Sequence, residues 1–271
     1  MTKHILFFGL FFLVVSSLFA QNFSGIFQES EAKLTYRQQT GWESFLADHQ
    51  VQVAAGNRLL DIESTRVEGD ERTYYAIYTE SAKKDSVGIA MGWKEFVRLK
   101  RLMRDKEYVM IDVHAFALNE VDRQYIGVWV EGDTDHKIRR VKSKASIAKE
   151  IKALGRRRFQ IKRVHVIDTP HGVPEYIALF HYSPAREYNF LHYSSDLPAF
   201  MKDLDERRMS DVRLIDYASF IENGEQVYLG IYQTGRYGYR FIRQADKAEL
   251  DQSGRELKEM KGFSLVNMNI Y

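Results

Sequence analysis

The chain has 271 residues, a formal net charge of +2 and no cysteine. The missing thiol excludes disulfides, thiolate metal sites and a Cys nucleophile. A chain of this length without staples is held by its own core, and 45% hydrophobic residues with four prolines supply the material for one.

Residues 1–20 read MTKHILFFGLFFLVVSSLFA: a short polar start with Lys3 and His4, an apolar run from Ile5 to Val15, and a small-residue exit at Ala20. This is the pattern of a secretory signal peptide, too short and wrongly flanked to span a bilayer, with cleavage expected near Ala20-Gln21. An uncleaved anchor is the alternative. No Cys follows the run, which excludes a bacterial lipid anchor, and no second apolar run is long enough to cross a membrane. The expected localisation is therefore secreted or periplasmic. Loss of Lys3 and no acid takes the charge from +2 to +1.

From residue 23 one pattern returns five times: FSGIF (23–27), YYAIY (74–78), YIGVW (125–129), YIALF (176–180) and YLGIY (228–232). The small residues at its centre, Gly25, Ala76, Gly127, Ala178 and Gly230, stand 51, 51, 51 and 52 residues apart, the signature of a repeat architecture. Each motif predicts a strand whose two aromatics and small residue share one face, with the aliphatic residue turned toward a helix layer. Gly or Ala leaves room for a close neighbour.

A second short strand is predicted next, at 33–37, 86–91, 137–141, 187–193 and 239–243. An amphipathic helix follows, marked by Trp42/Phe45/Leu46, Trp93/Phe96/Val97, Ile147/Ile151/Leu154, Leu197/Phe200/Met201 and Leu250/Leu257/Met260. Gly56, Gly155 and Gly262 read as helix C-caps. Longer strands are predicted at 58–64, 108–115, 159–166, 212–219 and 263–271, each leading through a polar turn to the next motif. The unit is thus ββαβ, with repeats near 21–67, 68–118, 119–169, 170–222 and 223–271 forming one domain. The end units are as apolar as the middle ones, so an open stack would expose sticky flanks. The expected fold is α/β, five tandem repeats closed into a five-bladed, pseudo-five-fold propeller; an open stack is the alternative.

The segments Gly56–Ile62 with Tyr74–Tyr78, and Tyr108–Val113 with Tyr125–Trp129, follow the order G-[YF]-x-L-[LIV]-[DN], turn, Y-x-[GA]-[IV]-[WY]. This order resembles the polyglycine hydrolase-like structural repeat, also called the bacterial tandem repeat domain. The resemblance implies an accessory or recognition role, because the β-lactamase-like catalytic domain that often accompanies such repeats has no room here. A five-fold ββαβ ring is also similar to the pentein fold, whose guanidino chemistry uses a Cys that this chain lacks.

Two levels of the long strands carry candidate site residues. Asp61, Asp112, Arg163, Asp216 and Asn267 occupy equivalent positions and point away from the helices; two residues on stand Glu63, His114, His165, Ala218 and Asn269. Around one axis, Asp61, Asp112, His114, Arg163, His165, Asp216 and Asn267 form a polar ligand site, with Asp112, His114, His165 and Asp216 suited to acid, base or ligand roles. The alternative is a set of paired polar groups, Asp61 or Asp112 bridging Arg163, that satisfies a partly buried centre. No helix carries His-x-x-x-His, so neither a metal site nor another cofactor is expected. The S-x-x-K strings at Ser81 and Ser146 lack the S-D-N and K-T-G companions of a β-lactamase and are chance matches.

Between Lys137 and Arg163 lie twelve Lys or Arg and one acid, Glu150, a local +11. Arg139, Arg140, Lys142, Arg156, Arg157 and Arg158 form the expected anion-binding patch, with Tyr182, Tyr188, Tyr193, Tyr237 and Tyr239 placed to stack on sugars or bases. The alternative is a solvated face offset by acids of neighbouring units. The functional expectation is a non-catalytic exported module that binds a polar or anionic ligand such as a glycan or lipopolysaccharide. A hydrolase using the axial cluster and a structural component of a surface assembly are the alternatives.

Overall fold

The computed structural model describes residues 23–29, 33–67, 69–167, 169, 173–185, 187–235, 238–244 and 246–270; the expected signal peptide lies outside them. The elements follow the predicted order. The first unit supplies β1 (Phe23–Glu29), β2 (Leu34–Thr40), α1 (Trp42–Ala54) and β3 (Asn57–Arg66), and the second β4 (Arg72–Glu80), β5 (Asp85–Met91), α2 (Trp93–Asp105) and β6 (Tyr108–Ala117). The third supplies β7 (Arg123–Glu131), β8 (His136–Val141), α3 (Lys144–Gly155) and β9 (Phe159–Ile167). The fourth supplies β10 (Glu175–Tyr182), β11 (Asn189–Ser194), α4 (Leu197–Arg208) and β12 (Val212–Glu222), and the fifth β13 (Glu225–Thr234), β14 (Tyr239–Gln244), α5 (Lys247–Lys261) and β15 (Phe263–Ile270).

The strands form five three-stranded antiparallel sheets, and each has a motif strand at its centre: β2-β4-β3, β5-β7-β6, β8-β10-β9, β11-β13-β12 and β14-β1-β15. Each sheet thus crosses a unit boundary, taking its centre from the unit that follows. β14 and β15 take their centre from the first unit instead: β1 lies between them, with Phe23 paired to Ile270 and Glu29 to Phe263. Phe23 and Phe263 share one hydrophobic cluster.

The faces of the motif strand are the reverse of the expectation. The aromatics and the small residue face the helix: Tyr74, Ala76 and Tyr78 pack with Phe45 of α1, and Phe96 of α2 stacks on Tyr125 at 5.3 Å. The aliphatic residues bury against the adjacent sheet instead. Ile126 and Val128 join the cluster of α1, Ile177 and Leu179 that of α2, Leu229 and Ile231 that of α3, Ile26 that of α4, and Ile77 that of β1, α5 and β15. In α1, α2 and α4 the rings of Phe45, Phe96 and Phe200 meet that aromatic face, while α3 and α5 meet it with Ile147, Leu154 and Leu250; sheet against sheet is filled by the smaller branched side chains. The central glycine seats its own neighbour's ring. A Cβ on Gly127 would collide with Trp129, and one on Gly230 would lie 2.7 Å from Tyr232.

A left-handed residue follows every helix: Gly56 (φ 81°), Glu107 (φ 63°), Arg158 (φ 63°), Asp211 (φ 55°) and Gly262 (φ 67°). The first four carbonyls accept from the N–H of Ser81, Gly132, Ser183 and Gly235 at 2.8–3.0 Å, which fixes the turn into the long strand. Gly155 is not a cap: it is the last residue of α3, and Arg158 takes the left-handed position.

A side chain with a Cβ costs about 1–2 kcal/mol in this conformation, partly offset by the entropy a glycine loses on folding. Glu107→Gly is therefore expected to stabilise the fold by about 0.5–1 kcal/mol, and Gly262→Ala to destabilise it by at least that much. Urea unfolding with unchanged slopes checks both.

Candidate functional site

A register shift lies in every long strand directly before the residue of the first polar level: Leu60, Ile111, Lys162, Ile215 and Val266 are skipped in the pairing with the motif strand. A bulge re-aims the side chains around it. It lets Leu59 and Ile62, three residues apart, both face α1 while Asp61 between them turns away. The same device acts at Met110 and Val113 around Asp112, and at Ile161 and Val164 around Arg163.

The five residues of that level meet. Arg163 lies 3.7 Å from Asp61, 3.4 Å from Asp112 and 3.8 Å from Asp216. Asn267 Nδ2 donates to Asp216 Oδ1 at 3.0 Å and to Asp61 Oδ1 at 3.3 Å. The second carboxylate oxygens accept backbone N–H groups from an adjacent sheet: Met268 to Asp61 at 3.1 Å, Ile62 to Asp112 at 2.9 Å and Val164 to Asp216 at 2.5 Å. Arg163, which cannot accept, donates to the Ile215 carbonyl at 3.3 Å. Both sequence readings of this level are thus present together: the residues converge, and they are paired.

Burial sets the protonation. It pushes the carboxyls of Asp61 and Asp112 up against the opposing pull of Arg163, and Asp216 to about 6. Burial alone would lower the Arg163 guanidinium, but Asp216, Asp112, Asp61 and Glu63 outweigh it and hold it above its ordinary value.

Beside this level lies a cavity of about 190 Å³ lined by Glu63, Ser64, Arg72, His114, His165 and Asn269 together with the Asp–Arg cluster. His114 Nε2 is 2.7 Å from Ser64 Oγ, and its Nδ1 is 3.2 Å from Glu63 Oε2. Arg72 Nε donates to Ser64 Oγ at 2.9 Å. The His114 and His165 rings meet edge to face at 4.4 Å, and His165 Nε2 donates to the Ala115 carbonyl at 2.6 Å. Burial, the neighbouring His165 and Arg72 hold His114 well below the usual imidazole range; burial takes His165 to about 4 and drives Glu63 well up. Ala218, at the equivalent position of β12, is buried and lines the same cavity.

Arg163 also lines a second cavity, of about 250 Å³, with Lys162, His181, Arg213 and Gln233. It therefore stands between an acidic, histidine-bearing space and a basic one.

The basic run divides into two groups. Arg140 pairs with Glu175 at 2.5 Å and Lys144 with Glu222, acids of the next unit, whereas Arg139 pairs with Glu150 at 3.1 Å and Lys137 with Asp135 at 3.0 Å inside their own unit, so this part is offset by acids, half of them from a neighbouring unit. Arg156 and Arg158 are exposed and make no ion pair among the described residues, and Arg157 lies over Phe159 at 6.0 Å. Lys142 is likewise exposed. Arg156, Arg158 and Lys152 rim a cleft of about 760 Å³ between α3 and β11, with Ile151, Phe159, Phe190 and Leu191 on its walls and Tyr188, 71% exposed, beside them. The composition of the run gave the cations; the cleft, built from a helix and a strand of the next unit, left no local signal. Among the tyrosines expected to stack on ligands, Tyr182, Tyr188 and Tyr193 are exposed, whereas Tyr239 is buried against α4, its hydroxyl on the Leu204 carbonyl at 3.4 Å; Tyr237 lies outside the described residues.

No protein-family model matches the chain, and no curated protein sequence matches it.

Two outcomes follow from this geometry. Arg163→Gln leaves three buried carboxyls without their cation and is expected to cost about 3–5 kcal/mol of stability at neutral pH, measured by denaturant unfolding. His181 and His136 are held mainly by burial at about 4 against an ordinary 6.5. Their folded values are depressed, so the stability they contribute is complete above about 6.5 and is lost as pH falls toward 4. Across that window His181→Gln should lose less stability than the unaltered chain, read as the difference in melting temperature between the two; the buried carboxyls, whose raised values act in the opposite sense, are common to both.

Proposed function

We propose that the chain closes into a five-bladed α/β ring and serves as an exported, non-catalytic binding module. The ring reading is supported by β1, which completes the sheet of β14 and β15, and by Asp61, which accepts from Met268. The recognition role agrees with what the likeness to bacterial tandem repeats implies.

The ligand seat is the cleft between α3 and β11. Its volume of about 760 Å³ lies within the range of small-molecule sites, and its lining joins apolar side chains to three cations, Lys152, Arg156 and Arg158, and one carboxylate, Glu187. The single observation that carries the reading is the pair Arg156 and Arg158, exposed and free of ion pairs among the described residues, at the rim of that apolar cleft. Such a site takes a ligand with phosphate or carboxylate groups on a sugar or acyl body, the chemistry of lipopolysaccharide or an acidic glycan.

The hydrolase reading draws on one observation, Ser64 Oγ at 2.7 Å from His114 Nε2 with Glu63 beside the other nitrogen. It is weaker. His114 Nδ1 makes no hydrogen bond to Glu63, so the carboxylate does not orient the ring as a triad requires, and Arg72 already donates to the Ser64 oxygen.

Binding of diphosphoryl lipid A and of heparin, measured by titration calorimetry at two salt concentrations, tests the binding reading. Arg156→Glu with Arg158→Glu is expected to weaken binding at least tenfold at low salt and to reduce its salt dependence. Equal affinity in the double variant would overturn the cleft assignment, and an esterase activity abolished by Ser64→Ala would overturn the non-catalytic one.

A further inference from the structure

Glu63, His114 and His165 stand at equivalent positions of β3, β6 and β9, and one donor atom from each lies within 4.8 Å of those of the other two. We infer that this trio binds a divalent transition metal, with zinc the closest match to its two imidazoles and one carboxylate.

The donor set comes first. Two histidines with one glutamate and no thiolate is a set used for zinc, and imidazole nitrogen with carboxylate oxygen also suits iron, nickel and copper more than calcium or magnesium. The spacing agrees. Glu63 Oε2 and His114 Nδ1 are 3.2 Å apart, close to the edge of about 3.3 Å between donors of a tetrahedral zinc with bonds near 2.0–2.1 Å.

The orientation of the rings is the independent observation. The Ala115 carbonyl can only accept, so His165 Nε2 carries the hydrogen and Nδ1 keeps its lone pair. His114 is 3% exposed; its Nε2 faces Ser64 Oγ, and its Nδ1 makes no hydrogen bond although a carboxylate oxygen lies beside it. A buried ring nitrogen without a hydrogen bond, next to an acceptor, is what a cation between the two would resolve. The bonds from Nε2 to Ser64 and to Ala115 are the outer contacts that fix ligating imidazoles in other metal sites. Three protein donors leave a further coordination position, and the cavity of about 190 Å³ lies against it. That position is open to water or to one oxygen of a small molecule.

The site is separate from the cleft at α3, so the two assignments fail independently. The full mature chain, treated with chelator and dialysed, is titrated with zinc chloride. The expected result is one zinc per chain, with affinity falling at least tenfold in Glu63→Gln and in His165→Gln and unchanged in the Arg156→Glu, Arg158→Glu double variant. Circular dichroism checks that the variants fold. X-ray absorption at the zinc edge of the unaltered chain supplies a reading that no variant can spoil, with two imidazoles and only nitrogen or oxygen donors expected. Absence of stoichiometric zinc, or fewer than two imidazoles in the absorption spectrum, would overturn the assignment. So would equal affinity in a folded Glu63→Gln chain. Lipid A binding that survives in Glu63→Gln separates loss of this site from loss of the cleft.

Discussion

A three-stranded sheet whose centre strand is apolar on both faces has one helix to cover it, and one helix covers one face. The other face must find a second sheet. In this chain the centre strands are the five motifs, and each spends its aromatic face on its own helix and its aliphatic face on the adjacent sheet. Every cluster of buried residues is therefore shared between two sheets, including the one that joins β1, α5 and β15 to Ile77 of β4. That shared burial fixes where the long strands run, because each lies at the edge of a sheet whose neighbour is already placed. It also explains why FSGIF cannot stand alone at the start of the chain: with apolar groups on both faces, β1 is a centre strand waiting for two edges, and β14 and β15 are those edges.

The long strands meet with polar groups, and there the energetic problem changes sign. Three carboxyls from β3, β6 and β12 are buried within a few ångströms of one another, and desolvation works against all of them. One guanidinium offsets part of the charge; three backbone N–H groups from adjacent sheets offset more. Such a cluster adds little net stability compared with an apolar plug of the same volume, but its loss in part is costly. What it does supply is register. Each aspartate oxygen that accepts an N–H from another sheet ties the two at one residue position, where apolar packing alone would tolerate a slip. Arg163, at the third of the five equivalent places, breaks the pattern in the one way that helps, since a fourth aspartate would add charge and no donor.

Most of the architecture was legible because it repeats. The spacing of Gly25, Ala76, Gly127, Ala178 and Gly230 gave the number of units, and the order of strand and helix within them followed from local periodicity. Convergence of Asp61, Asp112, Arg163, Asp216 and Asn267 was legible too, since equivalent positions of equivalent units must share an environment. What escaped was everything decided by partners. Which face of a motif strand meets the helix depends on what packs against it, so strand alternation alone does not place Tyr74 and Tyr78 on the side of α1. A bulge leaves no residue signature; Leu60 and Ile111 look like ordinary strand residues. Arg139 and Arg140 belong to a basic run, yet Glu150 and Glu175 neutralise them in space. Tyr239 reads as a surface tyrosine until α4 covers it.

Repetition hides a site in a second way. Searches for metal or catalytic motifs look for ligands a few residues apart, because a helix or turn brings such residues together. Here the distance between Glu63, His114 and His165 is the repeat length itself, so no local pattern can register them. A repeated backbone makes each position a small set of facing side chains, and the chemistry of the site is the composition of that set. Asp, Asp, Arg, Asp and Asn at one level make a charge-balanced hub. Glu, His, His, Ala and Asn at the next make a group with donors on one side and space on the other. Divergence between units, which reads as decay of the repeat when the motifs are compared, is at these two levels what gives the symmetric frame an asymmetric interior.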